Sequence, residues 1–399
     1  MNTYISSRVL NKNGSVNASK MLNVFLVTLV FIVYGLTGSE YAVSENSIYK
    51  YIVLLGALCV AFVTCFFKKE NVSSIFKRTF IFDQRGNFLA LGLITVTYSF
   101  AISLVNMRFT FRTIFELFLM FAPIIYAYML VEVLSFKTLD KTIVINFFIT
   151  FLIYLLTREM SFLQIITSLF KTNYFESYSP LESSVFSGLA TSFAFYFIFF
   201  KNRIVLKVLS VLFVFMTFKR LSIVFVVLLI LFSFFRKTIN KSIAKKSVVT
   251  RSVIIFLFLC FYYLFVHPVN RNWIEDTFNV NISSLTMTRS DRFSMLYSSN
   301  YISYGFGSST EYMYEHFNNV ALEMDLIKII IELGFLPAAF LIYVYLSFGR
   351  KKIYCFLIMM YHVLNLIFAS SLVSCFSWLL TYIIVLMIGN VKIQYRREL

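Results

Sequence analysis

The sequence predicts an all-α polytopic integral membrane protein of about 12 transmembrane helices, N-in and C-in, with one large outer loop containing short helices. Three observations carry that reading. Hydrophobic residues make up 59% and charged residues 14%, with a mean hydropathy of +0.79, whereas a soluble domain runs about 45–50% apolar and about 25% charged. The apolar residues fall into charge-poor runs on the scale of a bilayer crossing. The basic residues then sort between the two sides of those runs. This composition excludes a soluble enzyme, a secreted disulfide scaffold and a disordered chain. With 12 Gly and 4 Pro, long flexible or Pro-rich linkers are excluded too. The chain reads as a single multi-pass membrane domain over 1–399.

The runs are 21–37, 49–67, 88–105, 113–134, 142–157, 183–200, 205–218, 221–235, 252–267, 326–348, 353–369 and 372–390. The first follows a polar stretch with Arg8, Lys12 and Lys20 and has no small-residue cleavage site, so it is expected to be an uncleaved span. With the N-terminus inside, the cytoplasmic segments and Lys207 hold 25 of the 36 Lys and Arg residues, and most acids lie outside. This positive-inside bias sets the orientation. The net charge of +17 is therefore a topology signal, and no nucleic-acid partner is expected. Cys59, Cys65, Cys260, Cys355 and Cys375 all lie within apolar runs, with neither metal spacing nor a disulfide framework.

Residues 205–235 could form one helix or two. A single helix would be about 46 Å long and overshoot the roughly 30 Å hydrocarbon core. It would also move Arg236, Lys237, Lys241, Lys245, Lys246 and Arg251 outside. A hairpin broken at Lys219-Arg220, with that pair facing outward, is expected instead. Two outer loops stand apart: the smaller at 158–182 and the large one at 268–325. A loop of the second length in a compact protein is more often functional than idle.

Soluble-enzyme motifs are absent: no GxGxxG, P-loop, HExxH, CxxC or GxSxG. No cofactor and no metal are expected. Five groups could carry chemistry. Lys219 and Arg220 are cations at membrane depth, where charge is expensive and marks a pathway or site; the bland alternative is a hairpin tip reaching the headgroups. Arg289 and Arg292 could fork onto phosphate, or pair locally with Asp291. Gly305 and Gly307 permit close backbone approach to a ligand, or an ordinary turn. His316 could serve as general base or hydrogen-bond a diphosphate or sugar, with Asn318, Asn319, Glu323 and Asp325 nearby in sequence; an exposed loop histidine is otherwise unremarkable. Lys328 and Glu332, four apart, share a helix face and are expected to pair with each other. His267 reads as a boundary residue and His362 as a core hydrogen-bonder.

The order of these features is more informative than any one of them. A break at Phe218-Lys219-Arg220-Leu221-Ser222 precedes Thr288-Arg289-Ser290-Asp291-Arg292, then Tyr304-Gly305-Phe306-Gly307, His316-Phe317-Asn318-Asn319 and Glu332-Leu333-Gly334-Phe335-Leu336-Pro337. This resembles the Wzy-type O-antigen polymerases and the superfamily they share with O-antigen ligases. The resemblance covers roughly 183–390 in pattern and the whole chain in topology. Two departures stand out: Phe317 separates His316 from Asn318, and Pro337 replaces the last Gly of the helix motif. The first moves the chain away from the ligases.

The resemblance implies a lipid-linked glycosyltransferase of the bacterial inner membrane, with its site facing the periplasm. It would transfer a growing glycan from undecaprenyl diphosphate to an incoming undecaprenyl-diphosphate-linked repeat unit, independently of metal and nucleotide. Partners would be that oligosaccharide lipid, the bilayer, a chain-length regulator and a flippase. His316, Arg220 and Arg289 would be catalytic. Lys219, Arg292, Gly305, Gly307, Asn319, Glu323 and Asp325 would bind diphosphate and glycan. The alternatives are an O-antigen ligase acting on lipid A core, a repeat-unit flippase, and a membrane anchor for a partner.

The orientation makes the first prediction. Reporter fusions at Lys68, Lys245 and Arg396 should report cytoplasm, and fusions at Tyr174, Lys219 and Tyr312 the outer side. A cytoplasmic signal at both Lys219 and Tyr312 would overturn the hairpin.

Overall fold

The structure, a computed structural model, describes residues 3–37, 47–68, 85–158, 164, 167–168, 181–200, 203–317 and 320–391. Among them every regular element is helical. In chain order these are α1 (Thr3–Thr37), α2 (Ser47–Lys68), α3 (Arg85–Val105), α4 (Phe111–Val133), α5 (Phe136–Thr157), α6 (Ser184–Phe199), α7 (Ile204–Thr217), α8 (Arg220–Ser233), α9 (Arg236–Ile239) and α10 (Lys245–Val266). The large loop adds a 3-10 turn at Pro268–Asn270, then α11 (Arg271–Phe278), α12 (Ile282–Thr286), α13 (Arg289–Ser298) and α14 (Ser308–His316). The chain closes with α15 (Asp325–Leu333), α16 (Phe335–Phe348), α17 (Ile353–Phe368) and α18 (Cys375–Asn390).

Among the described residues, six helices are long and apolar enough to cross a membrane, and six shorter apolar helices accompany them. Large apolar side chains such as Phe62, Leu93, Phe100, Leu257 and Phe261 are exposed along the long ones. In water such contiguous exposure would drive association; in hydrocarbon it costs nothing. The helical periodicity therefore serves lipid on one face and protein on the other.

The chain divides into two compact units. The first comprises Met1–Arg78, Pro123–Phe234 and Phe376–Leu399, the second Thr79–Ala122 and Phe235–Cys375. In the first, α5 starts at Ser135, whose hydroxyl accepts the Thr138 amide at 3.3 Å and caps the first turn. Phe147 packs against Phe193, Phe197 and Phe213, with ring centroids 5.2–6.4 Å apart. Small residues let α6 and α18 approach: a Cβ on Gly188 would lie 2.9 Å from that of Ser377. One turn on, the Ser192 and Thr381 hydroxyls meet at 2.9 Å. Close contact through small and hydroxyl residues is how helices associate without a hydrophobic driving force.

The expected break in 205–235 is present. Phe218 takes the left-handed conformation at φ 48° and Lys219 is extended, so two helices of 14 residues replace one of 31. Each is about 21 Å long.

The second unit packs α16 against α10, α17 and α3. The Asn87 amide donates to the Ser347 hydroxyl at 3.1 Å, and Phe88 sets its ring edge-on to Phe348. Helix α10 stops at His267 because the residue before Pro268 is forced out of the helical region. The tenth run differs from expectation. It is not one helix over 326–348 but α15 and α16, interrupted at Gly334. Gly334 stands at φ 93° and ψ 178°, a region open essentially to glycine alone.

Candidate functional site

Helix α15 is nine residues long and carries Asp325, Lys328 and Glu332. Steps of three and four put them on one face, and all three are 4% exposed or less. Charges sealed to that degree persist only with partners on every polar atom. Each finds them on a different element. Lys328 donates from Nζ to Glu116 Oε2 at 2.5 Å. Arg112, one turn before Glu116 on α4, donates from Nε to Glu116 Oε1 at 2.8 Å. The Glu116 carboxylate thus holds a cation on each oxygen.

Asp325 accepts the Ser371 and Leu372 amides at 2.5 and 2.6 Å and the Ser370 hydroxyl at 3.3 Å, pinning the turn that leaves α17. The sequence places it with the substrate; the structure buries it in that turn, with both carboxylate oxygens engaged.

Glu332 accepts the Gly307 amide at 2.8 Å, the Ser309 amide at 2.9 Å and the Ser309 hydroxyl at 2.5 Å. It caps α14 from outside the helix, filling with the protein's own carboxylate the position where an anion is favoured. The expected Lys328–Glu332 pair is therefore replaced. Both Glu332 oxygens face the turn, and Lys328 reaches across to α4.

That turn is Ser303–Ser309. Gly305 and Gly307 stand at φ 124° and 85°. A Cβ on Gly305 would fall 2.8 Å from Ser99 Oγ, and one on Gly307 would fall 3.0 Å from the Glu116 carboxyl carbon. The close backbone approach expected of these glycines is made to the chain's own helices. The Phe306 amide donates to Ser99 Oγ at 2.9 Å, and Ser103 Oγ donates to the Tyr304 carbonyl at 2.6 Å. The Lys328 ammonium also lies 5.5 Å from the centre of the Phe306 ring.

Arg289 and Arg292 come together. Thr288, at φ 63°, turns the chain into α13. From there Arg289 Nε lies 3.4 Å from Glu323 Oε2 and Arg292 Nη1 2.7 Å from Glu323 Oε1. The two guanidinium groups and the carboxylate form a half-open cluster, with Glu323 39% exposed. Asp291 does not join it. It bonds Arg271 Nη1 at 2.6 Å and the Ser283 hydroxyl. Burial acts to raise the Asp291 carboxyl, but Ser283 and Arg271 hold it below the usual carboxylate range.

His316 ends α14. Its ring stacks on Tyr312 at 4.1 Å, and Nδ1 lies 3.0 Å from the Tyr312 carbonyl. Among the described residues these are its hydrogen-bonding and ring contacts; neither arginine is one of them. Asn319, and Asn318 beside it, lie outside the described residues. Lys219 and Arg220 lie at the α7–α8 break in the first unit.

Glu116 and Arg112 are the residues that reading the sequence misses. Their signal is present: an acid inside an apolar run, with an arginine one turn earlier. Both cost enough in a membrane to demand a reason.

Compared with protein-family models, curated proteins and solved structures, the chain matches none.

Releasing the turn tests this arrangement. Glu332→Ala removes a charged acceptor from two amides, each hydrogen bond worth about 1.5–3 kcal/mol. Hydrogen exchange over 303–309 should accelerate at least roughly ten-fold with total helicity retained by circular dichroism. Unchanged exchange there would contradict the cap.

Proposed function

We propose that this chain is a lipid-linked oligosaccharide polymerase of the bacterial inner membrane. It passes the growing glycan from undecaprenyl diphosphate to the next undecaprenyl-diphosphate-linked unit on the periplasmic side. In this reading the six long and six shorter apolar helices act as twelve spans, α15 and α16 together forming the tenth. The loop 268–325 lies outside, and both ends of the chain inside.

One observation carries the reading: Arg289 and Arg292 converge on Glu323 in a half-open cluster just ahead of α15, which leads into the apolar helix α16. A diphosphate on a lipid is such a ligand, with two phosphates at the interface and a tail in hydrocarbon. Guanidinium forks match phosphate oxygens in geometry and charge. Glu323 keeps the two forks spaced until phosphate oxygens take them over.

The chemistry follows from that charge. A hydroxyl of the incoming unit attacks the anomeric carbon of the growing chain. The new C–O bond forms as the bond from that carbon to the diphosphate oxygen breaks, and undecaprenyl diphosphate leaves with the electron pair. Arg289 and Arg292 offset the charge gathering on the leaving group. His316 takes the hydroxyl proton. The donor is already activated, so no nucleotide is required.

A second reading is favoured by the interruption at Gly334 beside the buried Lys328–Glu116 pair. Broken helices with intramembrane charge are a transporter feature, and a repeat-unit exporter would use them.

The experiment that separates these readings supplies purified protein with undecaprenyl-diphosphate-linked repeat units, a metal chelator and no nucleotide. A ladder of longer lipid-linked oligomers is expected. Arg289→Ala and Arg292→Ala should each slow it by about 10²–10³, and Arg→Lys should recover only part. Strict dependence on Mg²⁺ or Mn²⁺ contradicts the mechanism. Transfer to lipid A core alone makes the protein a ligase, and translocation in vesicles without a ladder makes it an exporter.

A further inference from the structure

The second unit contains a cavity of about 660 Å³ between the end of α10, α13 and the Gly334 break, within the usual range for small-molecule sites. Its wall is aromatic with polar tips. His267 stands among three rings, with centroids 5.4 Å from Tyr263, 5.6 Å from Phe293 and 5.1 Å from Tyr297. Tyr297 is 50% exposed, so a ligand can reach its ring. His267 Nδ1 accepts the Val269 amide at 3.4 Å, which places the proton of the neutral ring on Nε2. Among the described residues, that Nε2, the Tyr263 and Tyr297 hydroxyls and the Asn300 side-chain amide have no hydrogen-bond partner. Asn300 also holds a left-handed backbone at φ 54°, a conformation asparagine tolerates better than most residues. At the opposite wall, Gly334 leaves open space where a Cβ would stand.

We infer that this cavity binds a pyranose ring of the glycan, which rests on the polymerase reading for the source of that sugar. A pyranose has apolar C–H faces and a rim of hydroxyls. The faces suit the rings, and the rim suits donors and acceptors at ring tips. A polyprenyl tail fits less well, because it would bury the four polar groups with nothing to bond, at about 1–3 kcal/mol each. The cavity would then hold the sugar next to the reacting one and fix which hydroxyl is presented. Tyr263, His267 and Tyr297 are accordingly specificity-determining residues.

The test uses full-length protein in lipid nanodiscs and saturation-transfer NMR. The probes are methyl glycosides of glucose, galactose, N-acetylglucosamine and rhamnose, with undecaprenyl phosphate as competitor. Saturation transfer to at least one glycoside is expected, undisturbed by the lipid. Tyr297→Ala should weaken binding roughly three- to ten-fold, the worth of one stacked ring, and Tyr297→Phe by less. Tyr297 is half exposed, so its removal leaves the fold intact. No transfer to any glycoside overturns the inference, as does unaltered affinity in both Tyr297→Ala and His267→Gln, or displacement by undecaprenyl phosphate. The ladder assay on the same sample separates the two claims. A ladder without glycoside binding overturns the cavity assignment alone; glycoside binding without a ladder overturns the polymerase reading alone.

Discussion

Lys328 and Glu116 meet at 2.5 Å with side chains 5% and 1% exposed, and the second unit is arranged around keeping that pair satisfied. Either charge alone would be very costly at such burial. Arg112 therefore takes the other Glu116 oxygen, and the glycine turn comes so close that a Cβ on Gly307 would fall 3.0 Å from the Glu116 carboxyl carbon. Glu332, one turn beyond Lys328, is left to bind the amides of the same turn. Asp325, one turn before, binds the segment after α17. One short helix thus anchors α4, the large loop and the 370–372 turn through three neighbouring side chains. A hydrophobic face would pack as well, but without directional bonds it would not set the loop's register.

The consequence for function is positional. Arg289, Arg292 and Glu323 lie on the loop that α15 fastens, and Glu323 is two residues before the helix starts. The fully buried charges hold the scaffold together, while the Arg289–Arg292–Glu323 cluster stays half-open. This division assigns roles that charge alone does not. Asp325 and Glu323 are two residues apart, yet one is fixed in a turn and the other shared by two arginines with an open side.

Much of this was legible in the sequence. The long apolar helices follow directly from hydropathy, and the break at Phe218 followed from helix length and basic residues. The short helices of the large loop agree with expectation too. The interruption at Gly334 was hidden, because hydropathy is continuous across it and glycine occurs inside membrane helices without breaking them. The partner of Lys328 was hidden for a different reason. Spacing of four puts Glu332 on the same helix face as Lys328, but the choice was made by α4 and the glycine turn, more than 200 residues and about 20 residues away. Gly305 and Gly307 read equally well as a ligand cradle or a docking turn, since both need backbone without a side chain. Local pattern gives the conformation of such residues, and only the fold says what they approach.

The most direct test is a double-mutant cycle on Lys328→Met and Glu116→Gln, read from unfolding of the purified protein in detergent. Glu116→Gln leaves the buried Lys328 without its carboxylate and should cost about 3–5 kcal/mol, whereas Lys328→Met leaves Glu116 on Arg112 alone and should cost less. The double change removes both charges, so it should cost less than the sum by at least about 2 kcal/mol. Additive costs would mean that the two charges are not coupled, and the scaffold around α15 would have to be held by something else.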